Sequence, residues 1–524
     1  MKNYINNKRT QSSPIWALVG VFNSRLFKIS RAIATAGIVI FIVTQTSCKK
    51  LTDVPPPSTS LTGASVYASD ATAIAALTGI YARISALPVT NVGFIPSLSV
   101  FSGLSADELT VYNGVNNSTV LAYYRNTLSA GSTFNNYGSE FWAATYGTYI
   151  LQCNDAITGL TASTTVTPTI RNQLLGEAKF MRAFFYFYLV NLYGDVPLAL
   201  TTDVRINSSL SRSPKAEVYQ QIIADLRDAQ HLMSPGFLDG TLLKTTTDRV
   251  RPSQFAATAL LARAYLYYGN LTNDASQYVK ADSAATAVIT NNSFSLSTLN
   301  NAFLRSSLGN NEAIWQLQPV TSGIVSNTQD ADFFVLPSTG PTSNNYAYLN
   351  NSLLNSFEPG DNRKTTWIGS ITVLGSTYYY PFKYKVSKNN PNFPSSPPVT
   401  EYSMILRLGE QYLIRAEARA QQNNTLGAQA DLNTIRNRAG LANTTASDKA
   451  SLLTAILHER QVELFTELGQ RWLDLRRTGT VDAVMGTSGA CAAKGGTWSS
   501  YQQLYPVYIS DIQLDPKIKQ NNGY

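Results

Sequence analysis

The sequence predicts a mostly α-helical protein, built from paired helices and interrupted by one long, loop-rich insertion with short strands. Apolar residues recur at every third or fourth position along several segments, which is the spacing that places them on one face of a helix. The dipeptide Arg-Ala stands late in three of these segments, at Arg182, Arg263 and Arg415. Residues 291 to 400 lack that spacing and are rich in Asn, Ser, Pro and Tyr, so we expect them to interrupt the helices.

The first 47 residues predict a signal peptide. Two basic residues precede the apolar run Ala32 to Val43, which has the length of a signal-peptide core and is short for a membrane span. Four small or polar residues then lead to Cys48, which we predict to be the lipidated residue of a lipoprotein. The alternative is a soluble signal peptide followed by an incidental cysteine. Residues 48 to 68 contain three consecutive prolines and are predicted to be an extended tether.

Residues 69 to 524 are predicted to form one domain. Its helical scaffold covers about 69–290 and 401–480, the insertion covers about 291–400, and the C-terminal tail is 481–524. Capping residues, prolines in the first turn and terminal glycines set the helix bounds. The predicted helices are Asp70–Arg83, Ser139–Leu160, Leu174 to the stop at Gly194, Glu217–Met233, Pro252–Tyr268, Tyr278–Thr290, Ser403–Gln422, Gly427–Ala439 and Leu452–Gly479.

The segment that begins at Leu174 is the one around which the others are expected to pack. Its apolar stripe is joined by Phe180, Phe184 and Phe187 on the remaining surface, so the helix should be buried nearly all round. Pro197 prevents the same helix from restarting after Gly194.

The three Arg-Ala segments indicate a faint internal repeat. Each is followed by a turn and a second amphipathic helix, and the small Ala side chain allows two helices to approach closely. The pairs resemble degenerate tetratricopeptide units of about 34 residues. The spacings between the arginines are 81 and 152 residues, so we expect helical hairpins separated by insertions rather than an open solenoid.

The segment Asn91 to Asn117 is predicted to be a loop. It contains two adjacent carboxylates, Asp107 and Glu108. Neighbours along a chain do not normally face one substrate from opposite sides, as glycoside hydrolysis requires, so we assign both a structural or capping role.

The insertion is the predicted functional region, because a polar loop region of this length is more often functional than decorative. Short alternating segments at Glu312 to Gln318 and Ser376 to Lys385 are predicted strands. Trp315 is assigned to the core, since Ile314 and Leu317 indicate a buried strand.

The helix predicted after Leu452 carries a row of acids at Glu459, Glu463 and Glu467. Without His at ligand spacing, such a row would at best suit calcium. We prefer a charge-paired helix packed on the scaffold. The arginines available as partners are Arg460, Arg471, Arg476 and Arg477.

Charge and residue inventory exclude several function classes. The net charge is +8, but six uncompensated basic residues lie in the first 47 positions, which leaves +2 for the rest and no footprint for nucleic acid. The chain has only two histidines, His231 and His458, and both lie in predicted helices. The sequence therefore gives little support for a His-based catalytic triad or metal site. Cys153 and Cys491 are compatible with one disulfide or with two free thiols.

Three stretches together resemble the SusD/RagB family of outer-membrane lipoproteins: YGDVP from Tyr193, ERQVELFTELGQRWLDLRRTG from Glu459, and YPVYISDIQLDPKIKQNNGY from Tyr505. The resemblance covers essentially the whole chain after the signal peptide. It implies a SusD-like fold with four tetratricopeptide-like hairpins and no catalytic residues or cofactor. It also implies a lipid-anchored protein at the cell surface that captures oligosaccharide for a SusC-like TonB-dependent transporter.

Aromatic residues are the expected means of ligand binding. The chain contains 29 Tyr, and sugars present apolar C–H faces ringed by polar groups, which suit aromatic platforms with hydroxyls. The alternatives are a helical glycan-degrading enzyme, or a family member whose ligand is not a sugar, such as a peptide. A calcium ion that braces a loop is also compatible with the sequence. The predicted stacking residues are Tyr112, Tyr124, Phe333, Tyr346, Tyr348 and Trp367.

Overall fold

The structure is a computed structural model that describes residues 63–86, 94–130, 139–320, 327–390, 393 and 397–524. Most of its regular secondary structure is helical. Gly63–Tyr524 forms one compact unit. The predicted signal peptide, Cys48 and most of the tether lie outside the described residues. The α-helices are, in chain order, α1 (Gly63–Val66), α2 (Asp70–Ala86), α3 (Phe94–Ser105), α4 (Ser118–Tyr124), α5 (Leu151–Ala162), α6 (Pro168–Tyr193), α7 (Val204–Asn207), α8 (Lys215–Leu232), α9 (Gln254–Thr272), α10 (Ala275–Ile289), α11 (Gln329–Phe334), α12 (Asn351–Ser356), α13 (Asn362–Thr366), α14 (Leu408–Gln421), α15 (Thr425–Arg438), α16 (Lys449–Glu463), α17 (Gln470–Arg477), α18 (Val481–Met485), α19 (Ala490–Ala493) and α20 (Ile509–Leu514).

The strands are short and pair two by two, always antiparallel. They join segments that are far apart in sequence, except for the hairpin β6–β7 and the short pair β2–β3. The strands are β1 (Leu109–Val111), β2 (Val196–Pro197), β3 (Arg212–Ser213), β4 (Ala313–Leu317), β5 (Ala347–Leu349), β6 (Ile368–Val373), β7 (Ser376–Pro381) and β8 (Ser403–Arg407). The pairs are β1–β5, β2–β3, β4–β8 and β6–β7.

The central helix is α6, as the sequence predicts. It starts at Pro168, where a proline is tolerated in the first turn, and it ends before Gly194, whose φ of 81° suits glycine. Its aromatic residues are buried and meet strand β4: the Phe180 and Trp315 rings lie 5.0 Å apart edge to face. Trp315 is fully buried, which confirms its assignment to the core.

The repeated arginines are ion-paired residues of the helical hairpins. Arg182 on α6 donates to both oxygens of Asp225 on the partner helix α8, at 2.8 and 2.7 Å. Arg415 on α14 likewise binds Asp431 on its partner helix α15. Arg263 on α9 instead joins one hairpin to the next, because its carboxylate partner is Glu410 on α14. The repeat therefore places one buried bidentate pair at each of these helix contacts.

The segment predicted as a loop at Asn91–Asn117 was predicted wrongly in part, because it contains α3. The sequence of α3, FIPSLSVFSGLS, has Pro, Gly and four serines, so intrinsic propensity does not favour a helix. Every residue of α3 is buried, and this packing overrides local preference. Lys494 completes the helix end, since its Nζ donates to the Leu104 carbonyl at 2.7 Å.

Two other segments differ from the predicted helices. The predicted helix Ser139–Leu160 begins as a π-helix at Ser139–Ile150 and becomes α-helical only at α5. The predicted helix Ser403–Gln422 begins as strand β8, whose five residues are all buried against β4, and turns helical at Leu408. A fully buried apolar run does not distinguish strand from helix by periodicity, which explains the second error.

The acidic row is a buried charge network. Glu463 binds Arg407 at 2.6 Å and Arg363 at 2.9 Å, and it also pairs with Arg438. Glu467 binds Arg407 at 2.7 Å. The structure thus confirms charge pairing.

The predicted partners of the acidic row were wrong. Gly469 and two residues shortly before it have positive φ, so the predicted helix breaks into α16 and α17. Two arginines after the break bind acids outside the row: Arg471 binds Asp107, and Arg477 binds Asp474 and Glu417.

The carboxylates before β1 have structural roles, as expected. Asp107 accepts two hydrogen bonds from Arg471, and Glu108 accepts one from the backbone N–H of Thr466 at 3.2 Å. Cys153 and Cys491 are both buried free thiols, which decides between the two alternatives. Across the described residues, the structure contains no helix whose length and apolar character would let it cross a membrane.

Candidate ligand-binding site

The pair β1–β5 carries the outward side chains of the candidate site. Leu109 and Leu349 face each other in the core, as do the ends of the strands at Val111 and Ala347. The intervening pair, Thr110 and Tyr348, is partly exposed, because successive side chains of a strand point to opposite faces. The ladder therefore fixes one hydroxyl and one phenol side by side at the surface.

Two further tyrosines complete what we call the tyrosine cluster: Thr110, Tyr124, Tyr348 and Tyr378. The Tyr124 hydroxyl, at the end of α4, lies 2.6 Å from Oγ1 of Thr110. The Tyr378 ring, on β7, meets the Tyr348 ring edge to face, with centroids 5.1 Å apart and planes at 84°. Three separate parts of the chain thus bring partly exposed rings together.

The tyrosine cluster is uncharged. Burial, followed by the neighbouring phenols Tyr124 and Tyr378, raises the pKa of Tyr348, so it stays a neutral hydroxyl at physiological pH. The Lys494 Nζ lies 5.5 Å from the Tyr124 ring centroid, but it is already bonded to backbone carbonyls. The surface thus offers ring faces and hydroxyls that both donate and accept.

Tyr112 extends the same strand and lies beside the tyrosine cluster. Its backbone N–H donates to the carbonyl of Tyr346 at 3.1 Å, which continues the β1–β5 ladder by one bond. The Tyr112 side chain is partly buried against the core. Of the six predicted stacking residues, the structure therefore brings Tyr112, Tyr124 and Tyr348 to one partly exposed region.

The other three predicted stacking residues are placed differently. Phe333 and Tyr346 pack on each other with centroids 4.9 Å apart, and both are at least 95% buried. Trp367 is fully buried, and its Nε1 donates to the Leu299 carbonyl at 2.8 Å. A ring enclosed on both faces cannot stack on a ligand in this structure, so these three assignments are corrected to packing.

Trp367 is part of the scaffold rather than of the binding surface. Its ring lies between Phe303 and Phe465, and the Lys383 ammonium stands 4.9 Å from its centroid. The insertion thus contributes both core and surface aromatics. Sequence alone separates them poorly, since both are aromatic residues in polar loop sequence.

Sequence reasoning missed Thr110 and Tyr378 as site residues. Tyr378 is one of three consecutive tyrosines, and alternation along β7 places its neighbour Tyr379 on the opposite face, where it is 42% exposed. The predicted strand at Ser376 contained this signal. The partner strand β5 and the long-range pairing with β1 did not show in the sequence.

A cavity of about 350 Å³ beside the π-helix is the rival location. It is lined by Trp142, Tyr146 and Asn154, among others. Their polar atoms already serve the fold: Trp142 Nε1 donates to Asp511 at 2.6 Å, and the Tyr146 hydroxyl donates to the Pro197 carbonyl at 2.9 Å. Few unengaged polar groups are left there to orient a sugar.

No metal site accompanies either location in the part of the chain that the structure describes. There, no three His, Cys, Asp or Glu side chains converge as metal ligands would. Carboxylates of the acidic row, which was considered for calcium, form ion pairs with arginine and lysine side chains.

Comparisons with known proteins agree on one family. A family model described as "SusD family" matches residues 311–524, and one described as "Starch-binding associating with outer membrane" matches residues 101–266. The SusD-like protein P25 of Formosa agariphila is 22% identical over an alignment of 443 positions, which covers 74% of this chain and 80% of that protein. The match to SusD-like protein P2 of the same organism spans only 20% of that protein.

Solved structures share the fold. A SusD superfamily protein from Parabacteroides distasonis superposes with a TM-score of 0.71 at 23% identity, covering 89% of this chain and 100% of that one. A laminarin-binding SusD-like protein gives a TM-score of 0.68 at 22% identity, with coverage of 87% and 99%. At these identities the superpositions establish the mostly α-helical fold.

Proposed function

This chain is a SusD-like protein, and from that premise we propose that it captures a neutral oligosaccharide through the tyrosine cluster and delivers it to a SusC-like TonB-dependent transporter. The observation that carries the proposal is the position of Tyr348, held by the β1–β5 ladder between Thr110 and the Tyr378 ring. Rings at right angles offer two differently oriented apolar faces, and the hydroxyls beside them match the polar rim of a sugar.

Binding without cleavage is part of the proposal. Of the acids closest along the chain to the tyrosine cluster, Asp107 is committed to Arg471 and Glu108 is enclosed beneath β1. Glycoside hydrolysis needs two carboxylates that face the scissile bond from opposite sides. The runner-up functions are a glycan-degrading enzyme and a binder of a non-sugar ligand such as a peptide.

The test of the site compares three tyrosine variants of the purified full chain. Tyr348→Ala and Tyr378→Ala each remove one face of the tyrosine cluster, and we expect about tenfold weaker binding of the best glycan from a polysaccharide panel. Tyr379→Ala is the matched control, because it lies on the same strand but faces away. Affinity electrophoresis on glycan-containing gels measures the loss.

The outcomes separate the alternatives. Equal retardation of the Tyr348→Ala, Tyr379→Ala and unsubstituted proteins would remove the tyrosine cluster from the binding site. Release of reducing ends from a polysaccharide during incubation with the protein would indicate a glycan-degrading enzyme. Binding to a peptide library without binding to any glycan of the panel would indicate a non-sugar ligand.

Surface anchoring and transfer form the second half of the proposal. Cys48 stands where a diacylglyceryl group would attach, and acyl chains give about 0.8 kcal/mol per buried methylene. Cys48→Ala is therefore expected to release the protein from the outer-membrane fraction. The proposed transporter partner is tested by purifying the acylated protein from detergent extracts of the native host. If no transporter barrel co-purifies with it, the proposed transfer to a transporter is contradicted.

A further inference from the structure

A cavity of about 230 Å³ lies where the end of α17 approaches the starts and ends of three scaffold helices. Its lining comes from α6, α8, α9, α17 and the C-terminal tail, and none of its residues belongs to the tyrosine cluster. The polar side chains that line it include Asn191, Lys215, Tyr267, Arg476, Arg477 and Gln503.

The lining of this cavity is basic. It contains Lys215, Arg476 and Arg477 but no carboxylate. Arg477 is neutralised from behind, since it donates to Glu417 at 2.7 Å and to Asp474 at 2.8 Å. The charges of Lys215 and Arg476 are not matched by any acid in the lining.

Arg476, which is partly buried, differs from the fully buried arginines of the scaffold. Arg182, Arg263 and Arg471 each bind a carboxylate with two nitrogens. In Arg476, Nε and Nη1 are both buried, and neither has a hydrogen-bond partner among the described residues. A buried guanidinium normally needs such partners, because its donors have lost water.

A second unsatisfied group lines the same cavity. The hydroxyl of Tyr267 is buried without a hydrogen-bond partner in the described part of the chain, and the residue is 98% buried. Desolvation lowers the pKa of Arg476 to about 10. It also lowers the pKa of Lys215, which the neighbouring Arg476 charge lowers further and the Asp195 carboxylate offsets only in part. Both pKa shifts come mainly from burial, and no acid in the cavity lining offsets them.

We propose that this cavity binds an oxyanion, a carboxylate, sulfate or phosphate group, with Arg476 and Lys215 as its charged ligands. The planar guanidinium suits two oxygens of one such group, and the Gln503 amide and the Tyr267 hydroxyl supply neutral donors. The cavity exceeds the roughly 30 Å³ of a single water but is smaller than the roughly 300–1,000 Å³ of sites for drug-sized ligands. It therefore has room for a free ion or for one acidic substituent of a sugar.

The basic surface continues outward from the cavity. Lys215 and Gln503 also line a larger groove of about 680 Å³, whose charged residues are otherwise Arg212, Lys517, Lys519 and one acid, Asp195. A positive groove attracts anions and raises their local concentration. An acidic sugar chain could thus lie in the groove with one charged group in the cavity.

The experiment is calorimetric titration of the purified full chain with sodium sulfate, sodium phosphate and sodium glucuronate, at an ionic strength held constant with sodium chloride. Glucose is the neutral counterpart of glucuronate. Arg476→Gln and Lys215→Gln should each weaken oxyanion binding at least about tenfold, as expected for one charge-assisted hydrogen bond. Arg476→Lys should restore part of the affinity.

Arg83→Gln is the matched control, since it removes one positive charge from an exposed position on α2. Binding of sulfate and phosphate alone, lost in Arg476→Gln, supports the proposal with a free ion as the source. Binding of glucuronate but not glucose, lost in the same variant, supports it with an acidic sugar as the source.

The proposal is overturned if no oxyanion saturates the protein, or if Arg476→Gln and Lys215→Gln bind as the unsubstituted protein does. It is also overturned if Arg83→Gln weakens binding equally, because the effect would then be one of net charge. The melting temperature without ligand gives an independent reading: Arg476→Gln should be no less stable, since it removes a partly buried charge that has no acid partner in the cavity lining.

Discussion

The replacement Arg471→Ala tests the idea that buried ion pairs hold this scaffold together. Arg471 donates to both oxygens of Asp107 at 2.8 Å, and the two side chains are only 8% and 3% exposed. Burial alone would raise the pKa of Asp107, but the bonds from Arg471 hold it below its usual range. Removal of the arginine therefore leaves a carboxylate that is buried, charged and unpaired.

The expected cost is about 3–5 kcal/mol in the free energy of unfolding. The compact unit Gly63–Tyr524 has 462 residues, and an unfolding entropy of about 2.1 cal/mol/K per residue gives roughly 1 kcal/mol/K. The same loss therefore lowers the melting temperature by only about 3–5 °C. Urea titration followed by tryptophan fluorescence is the more sensitive assay.

The pair Arg205 and Asp203 provides the matched control. It has the same bidentate Arg–Asp geometry, but the Arg205 side chain is 87% exposed. Solvent screens an exposed pair, so Arg205→Ala should leave the midpoint almost unchanged. If Arg471→Ala and Arg205→Ala shift the urea midpoint equally, the Arg471–Asp107 pair does not owe its effect to burial. The double variant Asp107→Asn with Arg471→Met removes both charges, so it should recover much of the stability that Arg471→Ala loses.

The remaining predictions address one proton, one turn and one ring. Burial, followed by the charge of Asp107, raises the pKa of Glu108 to about 8, so the folded protein keeps a proton that the unfolded chain loses above about 4.5. Stability should therefore fall by about 1.4 kcal/mol per pH unit between these values relative to Glu108→Gln, and parallel stability–pH curves for the two proteins would rule this out. Gly469→Ala should cost about 1–3 kcal/mol, because φ is +72° and a Cβ would meet Ser102 at 2.7 Å; an unchanged urea midpoint would argue against the break between α16 and α17. Trp367→Ala should cost about 3–5 kcal/mol while glycan affinity in the folded fraction stays the same, and the reverse pattern would return this ring to the binding site.

The helical scaffold could be predicted from sequence because its signals are local. The stripe of α6, Pro168 in its first turn and Gly194 at its end all act within a few residues of each other. The helix α3 could not be predicted in this way, because its helical state depends on burial of all twelve residues by other parts of the chain. Strand β8 fails for the same reason, since its pairing partner β4 precedes it by about 90 residues.

The candidate site was predictable as residue types but not as an arrangement. Tyr124 and Tyr348 were singled out from composition and region, and the structure brings them to the same Thr110. Trp367 is also aromatic and lies in the same insertion as Tyr348, but it is in the core, because burial is decided by long-range packing that one sequence does not report. Tyr378 was missed because its relevance comes from contact with Tyr348 across a separate hairpin.

The scaffold and the tyrosine cluster are mechanically linked through the residues that flank β1 and β5. Asp107, fixed by Arg471, stands two positions before β1, and it also accepts a hydrogen bond from Ser352, just after β5. The backbone N–H of Asn350 donates to the carbonyl of Glu108 at 2.8 Å, which closes the same end of the ladder. Since Thr110 and Tyr348 owe their side-by-side position to this ladder, loss of the Arg471 pair should loosen the tyrosine cluster. Arg471→Ala is thus expected to weaken glycan binding even where the protein remains folded, whereas Arg205→Ala should not.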